Sequence, residues 1–199
     1  MARAVTLLMA VALLLTPLPA KAGGPLDEIK ASVDQLLAAV KDKSLEGQAR
    51  QDKLWSIINQ RFNDGEMTRR VMGQNWAKLN QAQKDELIGL FAELLKRSYL
   101  SKIEGYSDEE IVYDKERIED TFAQVDSLVI HRSEKIPLSY RLLKIQDKWW
   151  VYDVIIDGVS LVANYRRQFA NIIRQEGYDA LVRKLKEKKA EEETLEKAG

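Results

Sequence analysis

From Pro25 onward the apolar residues recur every three to four positions. Leu26, Ile29, Val33, Leu36, Leu37 and Val40 form one stripe along "PLDEIKASVDQLLAAVKD". That spacing predicts an amphipathic helix, and Pro25 suits its first turn. A second helix is predicted near Ser44, with Leu54, Trp55, Ile58 and Phe62 on its apolar side, and "NDGEMTRRVMG" predicts a short third one ending near Gly73. The strongest helical signal is "NQAQKDELIGLFAELLKRSYLSKI". Asn80 is placed as N-cap with Gln83 three residues on, the spacing of a capping box. Leu87, Ile88, Phe91, Leu94, Leu95 and Leu100 make a band too wide for one seam. Such a band is buried against more than one element, or it walls a cavity.

The period then shortens. Between Glu110 and Asp157 the chain is rich in Val, Ile, Tyr and Trp, with turn signals at "ED", "SE" and "QD". Four strands are predicted, near 110–119, 121–132, 135–146 and 148–156, joined as an antiparallel meander. The last contains "WWVYDVIID", which is apolar on both faces. Strict alternation puts Trp149, Val151, Asp153 and Ile155 on one side and Trp150, Tyr152, Val154 and Ile156 on the other. Protein or a ligand must cover the second face. "VSLVANYRRQFANIIRQEG" returns to helix and stops at Gly177. A last helix from Tyr178 leads into "KEKKAEEETLEKAG", and residues 187–199 are expected to be a charged, disordered tail. The order predicts an α+β fold: a curved, four-stranded antiparallel sheet, with helices before and after it packed on one side around a hydrophobic cavity.

The first 22 residues lie outside that pattern. Arg3, the apolar run Ala4 to Leu15 and the closing Ala20-Lys21-Ala22 have the layout of a cleavable secretory signal peptide. A single domain is therefore expected over residues 23–186. The whole chain balances 31 Lys and Arg against 31 Asp and Glu. Losing Arg3 and Lys21 leaves the exported form with a formal charge of −2. No basic excess points to nucleic acid. The absence of Cys rules out disulfides, thiol nucleophiles and Cys-based metal sites.

Candidate chemistry is sparse. His131 is the only histidine, so a multi-histidine metal site cannot be built, and its place beside Arg132 and Ser133 suits a solvated turn. Asp114, Asp126, Asp153 and Asp157 lie in or beside strands. Two of them converging in a cavity could do acid–base work, whereas backbone hydrogen bonds or Arg pairing is the ordinary use of such groups. Arg166, Arg167 and Arg174 could meet a phosphate at a cavity mouth or form structural ion pairs.

Two segments carry a resemblance. In "WWVYDVIIDGVSLVANYRRQF" the residues Trp149, Val151, Tyr152, Asp153, Val154, Gly158 to Leu161, Asn164, Tyr165, Arg166, Gln168 and Phe169 follow the pattern of the MlaC family, the toluene-tolerance proteins. "FNDGEMTRRVMGQNW" and the helix after it resemble a second block of that family. The similarity runs from about Ile29 to Leu185. Trp150 stands where the family usually has a polar or basic residue, Asn63 replaces an Asp, Met72 a Leu, and "LNQAQ" lacks the usual Thr-Pro.

The resemblance implies a non-enzymatic periplasmic carrier of diacyl phospholipid, with lipid as cargo and no cofactor. It implies partners at both membranes: an inner-membrane ABC transporter bearing a ring of lipid-binding domains, and an outer-membrane lipoprotein–porin complex. A monomer is expected. With the apolar excess on 81–103 and 148–156, it puts forward Phe91, Leu94, Leu95, Val129, Tyr140, Leu142, Trp150, Tyr152, Val154, Val162, Tyr165 and Phe169 as pocket walls, with Arg166 and Arg167 as headgroup contacts. Three other readings stay open: a carrier of another lipid such as a hopanoid, a small enzyme using Asp126 or Asp153 in a cone-shaped cavity, and a chaperone for apolar peptides. Mass measurement of the exported protein should find cleavage after Ala22 and Gly23 as the new N-terminus; an intact Met1 on exported protein would contradict the signal peptide.

Overall fold

A computed structural model describes residues 23–105, 109–131 and 134–198. The leader and the Arg132-Ser133 link lie outside them. The elements are α1 (Pro25–Lys41), α2 (Gly47–Asn59), α3 (Asp64–Met72), a 3-10 turn (Gly73–Lys78), α4 (Gln81–Glu104), β1 (Glu110–Glu119), β2 (Phe122–His131), β3 (Glu134–Ile145), β4 (Lys148–Ile156), β5 (Val159–Ser160), α5 (Leu161–Glu176) and α6 (Tyr178–Ala198). The strands form one open antiparallel sheet in the order β1-β2-β3-β4-β5. It has five strands rather than four, because Asp157 (φ 48°) and Gly158 (φ 77°) make a tight turn that folds Val159 and Ser160 back onto β4. Positive φ at both central residues is the geometry of a type I′ hairpin turn, and Asp-Gly is a favoured pair for it. α6 continues as helix through Ala198, across the segment expected to be a disordered tail.

Capping sets the helix starts. Asn80 accepts from the Gln83 N–H and the Gln83 side chain accepts from the Asn80 N–H, completing the expected capping box of α4. Asn63 caps α3 by accepting from the Glu66 N–H. Ser160 caps α5 through the Ala163 N–H, 3.0 Å away. Behind it sits Asp153 of β4, 3% exposed. Its carboxylate accepts from Ser160 Oγ (2.7 Å) and from the Val162 N–H (3.0 Å), with Arg141 at 3.5 Å. Asp153 thus ties β4, the β5 turn and the N-terminus of α5 together, and its negative charge lies where a helix N-terminus favours it.

The apolar interior falls into three clusters. Met67, Val71 and Met72 of α3, Leu87, Phe91, Leu94 and Leu95 of α4, Val162, Tyr165 and Phe169 of α5, and Leu181 and Leu185 of α6 form a helical cluster. Ile29 and Val33 of α1 pack on Ala123, Val125, Tyr140, Leu142, Trp149, Val151 and Val154 of the sheet. Ala39 and Val40 of α1, Leu54, Ile57 and Ile58 of α2, and Leu100 of α4 form the third. α4 enters two of these clusters, which accounts for the width of its apolar band.

β4 departs from strict alternation. Arg141 pairs with Asp153 and Leu142 with Val151, so Tyr152 is an extra residue. This bulge turns the strand over. Val154 joins Trp149 and Val151 on the face under α1. Tyr152 points the other way, in edge contact with Phe122 (6.2 Å) and under the Arg70 guanidinium at 3.9 Å. Lys148 Nζ lies 4.1 Å from the Trp150 ring centre. Both apolar faces of "WWVYDVIID" are therefore in contact with protein groups.

Asp153→Ala should cost about 2–4 kcal/mol in urea unfolding, since buried donors lose an ionised acceptor; a loss below ~0.5 kcal/mol would show that the node is not a tie. Acid should also weaken the fold. Glu66 is penalised by burial, yet Arg69 and Arg70 outweigh that and hold its pKa below the ordinary carboxylate value; Asp126 is likewise lowered, its burial outweighed by Gln124, Ser139 and Arg117. A depressed carboxylate contributes stability above its unfolded pKa, near 4, that is lost as pH falls through the lower folded value. Burial pushes Asp64 up and opposes part of this effect. Unfolding measured from pH 6 to pH 3 should show falling stability, with a shallower fall in Glu66→Gln; an unchanged slope would count against the Glu66 pairing.

Candidate functional site: the apolar interior at Phe62

Phe62 is packed against all three apolar clusters. The chain reaches this place by a local pairing. After α2, the Asn63 N–H donates to the Val151 carbonyl and the Val151 N–H donates to the Arg61 carbonyl, each at 2.9 Å. Phe62 thereby lies parallel to Val151 at the edge of β4. The Arg61 side chain fixes the neighbouring helix. It donates to Ser32 Oγ (3.0 Å) and to the Trp149 carbonyl (2.8 Å), and it pairs with Glu28. Burial pushes its pKa down, the expected effect of taking a cation partly out of water. Arg61, Glu28 and Ser32 were not singled out in the sequence; the i,i+4 spacing of Glu28 and Ser32 on α1 was the only available sign.

The residues put forward as pocket walls divide by cluster. Phe91, Leu94, Leu95, Val162, Tyr165 and Phe169 lie together in the helical cluster. Phe91 is fully buried and meets the rings of Tyr165 (5.2 Å) and Phe169 (5.6 Å) edge-on. Tyr140, Leu142 and Val154 lie on the sheet face beneath α1. Val129 is buried further along the same face of β2. Tyr152 and Trp150 are on the opposite face, Tyr152 against the helical cluster. Tyr99 borders that cluster too; burial, then the Tyr165 hydroxyl, pushes its pKa up to about 12.

Wall residues that share a cluster pack against one another. Two clefts lie elsewhere. One of about 380 Å³ runs between α4 and α6, lined by Gln83, Glu86, Tyr178, Val182, Arg183 and Lys186 among others. The other, about 190 Å³, lies between α2 and α4 around Gln51, Lys96 and Leu100. Neither is lined by a proposed wall residue.

The α5 arginines lie at the surface on uncharged acceptors. Arg166 donates to the Arg70 carbonyl (2.7 Å), Arg167 to Asn164 (3.4 Å) and Arg174 to Asn171 (2.7 Å). The carboxylates do not converge. Asp126 is paired with Arg117 at 2.6 Å, Asp153 is the α5 tie, Asp157 is in the β4–β5 turn, and Asp114 is exposed on β1. The lowered pKa of Asp126 is the reverse of what a proton donor near neutrality needs. His131 is 2.7 Å from Glu109, a carboxylate buried at the start of β1. It is thus anchored rather than free in a turn, and Glu109 gave no sign of this in the sequence.

Against known proteins, the sequence model of the family described as "MlaC protein" matches residues 30–187. The intermembrane phospholipid transport system binding protein MlaC of Haemophilus influenzae is 22% identical over 124 residues, 59% of this chain and 58% of that protein's length. The chain thus matches little more than half of that relative. A phospholipid-binding protein from Ralstonia solanacearum, solved in complex with a phospholipid, superposes with a TM-score of 0.75 at 30% identity, over 83% of this chain and 96% of the other. With the family match covering most of the chain from α1 to α6, and a solved relative of the same α+β architecture, this protein belongs to the MlaC family.

Proposed function

We propose that the protein is a periplasmic phospholipid carrier, moving diacyl lipid between complexes in the two membranes and so maintaining outer-membrane lipid asymmetry. The observation that carries this reading is the divided interior. A domain of this size ordinarily packs one contiguous core. Here, among the described residues, a helical cluster and a sheet cluster are distinct, and Phe62 is the side chain packed against both. Two acyl chains entering along that junction would replace contacts between clusters, one of them reaching along the sheet face beneath α1. The Ralstonia relative, bound to a phospholipid and similar over 83% of this chain, supports the same cargo.

The energetics require such a device. A diacyl lipid with ~30 methylenes exposes roughly 24 kcal/mol of apolar surface to water, at about 0.8 kcal/mol per methylene. A carrier must cover the chains and can leave the headgroup in solvent. It needs no catalytic group; Asp126 is in an ion pair, Asp153 caps α5 and Asp157 lies in a turn. The walls of the site are then Phe91, Leu94, Leu95, Val162, Tyr165 and Phe169 on the helical side and Val129, Tyr140, Leu142 and Val154 on the sheet side. Direction comes from the partners: an inner-membrane ABC transporter with a ring of lipid-binding domains, and an outer-membrane lipoprotein–porin complex.

Protein exported in a Gram-negative host, extracted under denaturing conditions, should yield about one phospholipid per chain. Delipidated protein should recover it from vesicles of phosphatidylethanolamine and phosphatidylglycerol, with a rise in melting temperature. Phe62→Ala should lower lipid-free stability by about 2–4 kcal/mol, since it removes an aromatic ring from the meeting point of three clusters. It should show a larger rise on lipid uptake than the unsubstituted protein, as acyl chain fills the gap. Folded, delipidated protein that takes up no lipid would sink the proposal; recovery of an apolar peptide or a hopanoid instead would move it to those cargoes.

A further inference from the structure

Tyr113 of β1 lies on the sheet face beneath α1, packed against the sheet cluster. Its phenolic oxygen is shut off from solvent and has no hydrogen-bond partner among the described residues. A buried hydroxyl is normally paired, and an unpaired one opposes folding. The nearby polar groups do not serve it. Ser127, its cross-strand neighbour, spends its hydroxyl on the Leu138 carbonyl (2.9 Å). Lys30 of α1 approaches the ring rather than the oxygen, with Nζ 5.2 Å from the centroid.

Resting on the carrier reading, we propose that Tyr113 is a lipid-positioning residue whose hydroxyl donates a hydrogen bond to an ester carbonyl of the bound diacyl lipid. The carbonyls are the polar atoms that join the acyl chains to the glycerol, so they travel with the chains under α1. Asp34 of α1 argues for a neutral acceptor: its charge, after burial, helps push the Tyr113 pKa up to about 12, and it would repel a phosphate at the same place. Tyr113 therefore keeps its proton at neutral pH and acts as a donor. Lys30 over the ring holds the phenol's orientation by a cation–π contact. The β-bulge at Asp114, where Tyr113 pairs with Ser127 but Lys115 with Asp126, offsets Tyr113 from the charged half of β1 and lets it face the cluster.

The test compares diester phosphatidylglycerol with its dialkyl-ether analogue of the same chain lengths, each offered in vesicles to delipidated mature protein. The unsubstituted protein should retain the diester roughly 5-fold better than the diether, as expected for one buried hydrogen bond. Tyr113→Phe should retain both at the diether level, with a melting temperature unchanged or raised, because it deletes an unpaired buried hydroxyl. Equal diester retention by Tyr113→Phe and the unsubstituted protein would overturn the assignment. So would an equal loss of both lipids, which indicates packing alone, or a loss that follows removal of the phosphate rather than of the esters. Failure of the unsubstituted protein to take up either lipid would instead overturn the carrier reading itself, and this assignment with it.

Discussion

The pairing of Arg61 and Asn63 with Val151 is the constraint on which the rest of the molecule depends. Two backbone hydrogen bonds of 2.9 Å attach the end of α2 and the start of α3 to the edge of β4. The helical half and the sheet half are thereby held in register. Phe62, caught between those bonds, touches all three apolar clusters. The Arg61 guanidinium extends the attachment to α1 through Ser32 and Glu28, and back to β4 through the Trp149 carbonyl. Asp153 at the base of α5 and Arg70 over Tyr152 add two further attachments between the helices and β4.

Buried charge is confined to a few local sites. The Asp153 carboxylate is nearly all enclosed and takes its hydrogen bonds from Ser160, Val162 and Arg141. Its role is to set the departure of α5 from the sheet, which places Val162, Tyr165 and Phe169 against Phe91. Arg70 stacks on Tyr152 while bonded to Glu66, so a cation covers the side of β4 away from α1. Its carbonyl holds Arg166. The sequence block from Asp64 to Met72 and the block from Trp149 to Phe169, far apart in the chain, are thus one physical unit.

The helices, the Asn80 capping box, the strands and the meander were legible in the sequence, because each rests on local spacing and on turn residues that act within a few positions. The burial of most residues put forward as walls was legible as apolarity. Their partition was not. Phe91 and Val154 look alike as buried positions in a periodic pattern, yet they belong to different clusters, because which elements face each other is decided by chain crossings that periodicity does not encode. Phe62 read as one more apolar residue of the second helix; in the fold it lies beyond that helix, beside β4.

The composition and local patterning of this chain by themselves determined an α+β domain without cysteine chemistry, and a strand with two apolar faces. Only the tertiary structure decided which side chains occupy each face. Inserting Tyr152 as a bulge reverses the alternation midway along β4, sending Val154 under α1 and Asp153 to the base of α5. A bulge is a property of two strands in register, since the extra residue exists only relative to its partner strand. The same holds for the phenol of Tyr113: its hydroxyl is ordinary in the sequence and becomes an unpaired buried donor only once α1 has closed over the sheet.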